Sequence, residues 1–103
     1  MDITSPPRLS AKEALILDLL AASASGERYG LELVEASRGQ LKRGTVYVTL
    51  GRMVEKGYLT SAQEAKAPES IGMPRRMYRL TPLGRRVRQA WEELRLKLAW
   101  EGA

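Results

Sequence analysis

Three glycines, Gly26, Gly39 and Gly57, divide the N-terminal part of this 103-residue chain into helix-sized pieces, and that punctuation limits the fold more than any other feature. A glycine enters the left-handed conformation that ends a helix without steric cost. Ahead of Gly26, Ser10-Ala11-Lys12-Glu13 forms a capping box, in which the serine caps the first turn and Glu13 reaches back. This predicts a helix to about Ser23. A second helix fits Tyr29 to Ser37, with Leu31 and Val34 at i, i+3, and Gly39 ends it. A third fits Gly44 to Lys56, where Val46, Leu50 and Met53 recur at i, i+4, i+7 and turn inward.

Beyond Gly57 the period changes. Tyr58 to Ala62 reads as a strand, and so does Arg76 to Leu80, with Met77 and Arg79 on one face and Tyr78 on the other. The loop between them, Gln63 to Arg75, is polar and carries Pro68, Gly72 and Pro74. Thr81-Pro82 starts a last helix, threonine as N-cap and proline in the first turn. Helix, helix, helix, hairpin, long helix is the order of a winged helix-turn-helix, a mainly α fold with a two-stranded wing. The expected division is a flexible arm over 1–9, the winged helix-turn-helix over 10–80 and a C-terminal helix over 81–103, all in one compact domain.

The first helix has no single apolar stripe. Leu15, Leu19 and Ala22 share a face, Ile16 and Leu20 lie to its side, and Leu17 stands nearly opposite. A helix apolar on several sides is buried on several sides, and in so short a chain one of those sides is expected to meet a second subunit.

Composition narrows the chemistry. With no cysteine and no histidine, disulfides, thiolate metal sites and the commonest general base are all missing, and no carboxylates pair suggestively. Enzymatic activity is not expected, and no cofactor or metal is called for. The net charge is +5, and from Arg75 to Arg88 there are six arginines and no acid. Such local density is the electrostatic footprint of nucleic-acid binding. Met1-Asp2 opens without a basic stretch, Pro6-Pro7 break any early apolar helix, and Ala14 to Ala22 is too short to span a bilayer. A cytoplasmic protein without membrane contact is expected.

The chain resembles the PadR-like transcriptional regulators. The matching pieces are Tyr29-Gly30, Gly44-Thr45-Val46-Tyr47, Arg52-Met53, Glu55-Lys56-Gly57-Tyr58-Leu59, and Arg76-Met77-Tyr78-Arg79-Leu80-Thr81-Pro82-Leu83-Gly84, in order from residue 10 to about 90. The resemblance implies a dimer, an N-terminal winged helix-turn-helix and a C-terminal helix used for dimerisation. It also suggests phosphate contacts by the hydroxyls of Tyr29 and Tyr47, whose rings could equally fill the seam between helices two and three. The family often has Ser or Thr followed by Pro where this chain has Lys42-Arg43, and a polar residue or proline where Val48 stands.

If Val46, Leu50 and Met53 face the core, the opposite side of helix three holds Thr45, Val48, Arg52 and Glu55, flanked by Thr49 and Lys56. The major groove admits one α-helix, whose N-terminal residues reach base edges. Thr45, Val48, Thr49 and Arg52 are the candidates for base contacts. Arg52 is suited to a guanine, Val48 and the threonine methyls to thymine methyls. An outward face that is merely solvated is the plain alternative. Lys42 and Arg43 oppose the helix macrodipole by about 0.3–1 kcal/mol each, a cost that a phosphate at this point would reverse and that an exposed turn could also tolerate. In the wing, Arg75 and Arg76 suit phosphates or the minor groove, Glu64 and Glu69 make the tip less basic, and Arg79 could pair with an acid.

Along the last helix, Leu83, Val87, Trp91, Leu94 and Leu98 recur at helical spacing, with Leu96 and Trp100 beside them. This surface is wider than one helix can hide, and a partner subunit is its natural cover. Leu17, Val87, Trp91, Leu94, Leu98 and Trp100 are the expected dimer contacts. Arg85, Arg86 and Arg88 read as a solvated face. Some small members of the family bind flat aromatic or cationic drugs between the dimer halves through tryptophan. An ungapped alignment from Thr81 puts neither Trp91 nor Trp100 at those positions, so a small aromatic effector is an open possibility only. The expectation is a homodimeric repressor on double-stranded DNA, with a pseudo-palindromic operator. The rival is a winged helix serving as a protein–protein interaction module.

Overall fold

The structure is a computed structural model, and it describes residues 8–63 and 75–101. The arm, apart from its last two residues, and the wing tip with Glu64, Pro68, Glu69, Gly72 and Pro74 lie outside them. In chain order the elements are α1 (Ala11–Ala22), β1 (Glu27–Tyr29), α2 (Gly30–Ala36), α3 (Arg43–Glu55), β2 (Leu59–Gln63), β3 (Arg76–Leu80) and α4 (Pro82–Glu101).

The capping box forms as the sequence predicts. Ser10 Oγ accepts from the Glu13 amide at 3.1 Å and Glu13 accepts from the Ser10 amide at 2.9 Å. Leu9, just before it, packs on the core, so that end of the expected arm is anchored. The sheet holds one strand more than the expected pair: β1 joins it, giving the antiparallel order β1-β3-β2 with Arg28 opposite Tyr78 and Ser61 on the far side of Tyr78. A three-residue strand has too little period to be visible in sequence. Its partner lies some fifty residues further along.

The core is built around α1. Ile16, Leu17 and Leu20 are wholly buried, together with Leu33, Val46, Leu50, Met53, Leu59, Tyr78 and Leu80. All three later helices and the sheet pack on α1, which explains its lack of a single stripe. This corrects the assignment of Leu17 to a subunit contact: at 0 % exposure it already lies in the chain's own core. Val87, expected in the same contact, is buried there as well. Asp18 on α1 holds Arg88 of α4 at 2.9 Å. Past Leu94, residues 95–100 of α4 are all exposed. Among the described residues, no helix is long and apolar enough to cross a membrane.

Candidate nucleic-acid interface

The turn between α2 and α3 is fixed by one buried hydroxyl. Ser37 Oγ donates to the Val34 carbonyl at 2.7 Å and accepts from the Leu41 amide at 2.9 Å. Arg38 and Gly39 are both left-handed there, with φ of 52° and 89°. Leu41 is buried and pins the far end of the turn. Sequence reading missed Ser37 and Leu41; the signal was a serine four residues before a leucine in a segment otherwise polar.

From this turn α3 rises with Val46, Leu50 and Met53 buried and Thr45, Val48, Arg52 and Glu55 exposed. The inward and outward sides are those the spacing predicts. Val48 is 57 % exposed on an otherwise polar face. Thr49 is half-buried at its edge. Lys42 occupies the N-cap with extended backbone and no side-chain cap, and its carbonyl takes the Thr45 and Val46 amides at 3.1 and 2.9 Å. Lys42 and Arg43 are both exposed. The first amides of an α-helix have no partner inside it, so this end combines two side-chain cations with the positive end of the helix dipole.

The aromatic pair brings three elements together. Tyr47, 44 % exposed, lies over Gly30: a Cβ at Gly30 would come within 2.6 Å of its ring. Glycine at this position is therefore a seat for the tyrosine. The neighbouring Tyr29 is half-buried, and the Arg75 guanidinium stacks on its ring at 4.2 Å from the centroid. So the outer flank of α3, the start of α2 and the root of the wing's return strand meet. Tyr29's amide is held by Glu32 at 2.8 Å. Arg76 is exposed and donates to Ser61 Oγ at 3.2 Å across the sheet.

Some of the charge around this surface is neutralised. Arg79 pairs with Glu27 at 2.8 Å and Arg88 with Asp18 at 2.9 Å. The acid partner considered for Arg79 is a residue of β1. Behind α3, Lys56 holds Glu13 at 2.8 Å. Burial alone pushes the Glu13 carboxyl up, but the hydrogen bonds from Lys56 and the Ser10 amide outweigh it and hold it below its ordinary value. Among the described residues, no cluster of acids, histidines or cysteines could hold a metal ion.

The C-terminal residues split in two. Trp91 and Leu94 are half-buried against the body, whereas Leu96, Leu98 and Trp100 are exposed, Trp100 at 82 %.

A family model described as "Transcriptional regulator PadR-like family" matches residues 16–90. Among solved structures, a PadR family transcription regulator from hypervirulent Clostridium difficile superposes with a TM-score of 0.65 at 26% identity, covering 91% of this chain and 100% of that one. A PadR-like transcription factor from Bacteroides fragilis gives 0.63 at 22% identity, covering 84% of each chain. A zinc-responsive MarR family member, Lactococcus lactis ZitR, gives 0.65 at 17% identity over 98% of this chain and 65% of that one, a likeness of fold. Among curated proteins, none matches significantly.

Proposed function

The chain belongs to the PadR-like family of transcriptional regulators, and on that premise we propose that it is a homodimeric repressor of sequence-specific double-stranded DNA. Two copies of α3 enter successive major grooves. Thr45, Val48, Thr49 and Arg52 face base edges. Lys42, Arg43, Tyr47 and Tyr29 bind the phosphates at the near side, and Arg75 and Arg76 bind the backbone or minor groove beside the wing. The observation that carries this reading is the outward side of α3, polar apart from the exposed Val48 and bearing Arg52, joined through Tyr47, Gly30 and Tyr29 to the Arg75 guanidinium.

A two-fold assembly supplies the second recognition helix. The uncovered Leu96, Leu98 and Trp100 on the free end of α4 are its proposed contact, with Trp91 and Leu94 at the margin. A dimer of this kind binds a pseudo-palindrome with half-sites about 10 bp apart or a multiple of that. Selection of bound fragments from random duplexes tests the reading. Enrichment of an inverted repeat with that spacing is expected. Recovery of no preferred sequence, with binding equal on all duplexes, would contradict it and favour the interaction-module alternative.

A further inference from the structure

The C-terminal end of α3 and the N-terminal end of α4 are tied together at one residue. Thr81 Oγ1 donates to the Gly57 carbonyl at 2.6 Å and accepts from the Gly84 amide at 2.9 Å. The Thr81 amide donates to the Tyr58 carbonyl at 3.1 Å. Gly57 carries the left-handed turn that stops α3, with φ of 82°. Gly84 lies so close that an added Cβ would sit 2.1 Å from the Tyr58 carbonyl oxygen. Thr81 is thus at once the N-cap of α4 and the clasp on the exit of α3. The two helices do not pack side by side along their lengths, so their mutual angle is set directly at this clasp and indirectly through α1 and the sheet. The Lys56–Glu13 pair secures the same end of α3 to the start of α1, and Arg88–Asp18 secures α4 to its middle.

We propose that Thr81 is a positioning residue: its hydroxyl, donating to Gly57, fixes the angle between the recognition helix and the dimer-forming helix, and thereby the half-site spacing that the dimer accepts. This rests on the reading of the chain as a two-fold DNA-binding dimer. In such a dimer α4 belongs to the subunit contact and α3 to the DNA, so any slack at their joint becomes slack in the distance between the two recognition helices. Base contacts within one half-site do not depend on that joint. A loosened clasp therefore costs discrimination between spacings and leaves single half-site affinity in place.

Thr81→Asp separates the clasp from the cap. An aspartate remains a good N-cap for the Gly84 amide but has no proton to give Gly57. Thr81→Ser keeps both bonds, and Thr81→Val removes both while retaining the branched shape. The DNA probes are the duplex obtained by selection, the same duplex with its centre longer or shorter by one base pair, and a single half-site. We expect Thr81→Asp to lower the preference for native over altered spacing by about two- to tenfold, the range of one lost hydrogen bond. Half-site affinity should be retained, and Thr81→Ser should behave as wild type. An unchanged spacing preference, or an equal loss on half-site and full site, would overturn the proposal.

A second measurement needs no DNA. The chain has no cysteine, so spin labels at Glu55→Cys on α3 and Glu93→Cys on α4, both exposed, report the interhelix distance when diluted with unlabelled chain. A distribution broadened or shifted in Thr81→Asp or Thr81→Val, and restored in Thr81→Ser, supports the clasp. Identical distributions in all variants refute it. Failure of the random-duplex selection, by contrast, would count against the DNA-binding reading and leave the label distances to judge the joint.

Discussion

Arg52 and Arg75 share a side-chain type but stand in different surroundings, and the roles proposed for them differ accordingly. Arg52 stands on the exposed side of α3 one turn beyond Val48, where a guanidinium can bind guanine O6 and N7 together. Arg75 stacks on Tyr29 at the root of the wing, and its proposed contact is with the backbone or groove edges. Arg52→Ala should therefore lose about 1–3 kcal/mol on the operator and relax specificity at one position. Arg75→Ala should weaken all sequences alike and reduce the salt slope by about one. Titrations on selected and random duplexes at several salt concentrations separate the two outcomes; an equal loss on both duplexes for Arg52→Ala would remove it from base reading. The face bearing Arg52 was legible because three core residues at helical spacing imply what lies opposite. Ser37 was not. Its role depends on where the Leu41 amide and the Val34 carbonyl come to rest in the folded turn.

Among the elements, α3 is packed along its length by Val46, Leu50 and Met53 and is tied at its C-terminal end by polar contacts as well. Glu13 links the α1 capping box to Lys56 at the end of α3. Its carboxyl is held below the usual value in the folded chain, so the pair adds stability above the unfolded carboxyl's range, and that stability is lost as pH falls through the lower folded value. Urea unfolding midpoints measured from about pH 6 down to about pH 3 should fall more steeply for the wild type than for Glu13→Gln; parallel profiles would deny the linkage. At the same end of α3, Gly84→Ala would press a methyl group against the Tyr58 carbonyl. Because backbone cannot swing aside as a side chain can, a destabilisation of about 1–3 kcal/mol or more is expected from the same urea experiment. The boundaries of α1, α3, β3 and α4 were readable from caps, stops and period. The strand β1 was not, since three residues between Gly26 and α2 become a strand only through pairing with β3.

For the molecule as a whole, α1 is covered on its apolar sides by its own chain, and among the described residues the free end of α4 exposes three large apolar side chains, Leu96, Leu98 and Trp100, beside Leu31 on α2 and Tyr47 and Val48 on α3. That distribution moves the proposed subunit contact away from Leu17 and Val87 and onto Leu96, Leu98 and Trp100. The sequence showed a surplus of apolar surface without showing which helix kept it, because wheel geometry alone does not say how many neighbours a helix has. Leu98→Glu combined with Trp100→Glu should give a monomer at micromolar concentration in sedimentation, with unchanged helical circular dichroism. Affinity for a full operator should drop by about 10²–10⁴ as the second half-site ceases to be tethered. A variant that stays dimeric would place the contact elsewhere.

The proposed placement of the outward side of α3 in the major groove is tested by dimethyl sulfate footprinting at the atom concerned, guanine N7. On the selected operator the wild type should protect guanines in two half-sites about 10 bp apart or a multiple of that, and Arg52→Ala should lose that protection while still shielding the backbone. Full binding of the operator with every guanine N7 left reactive would contradict it.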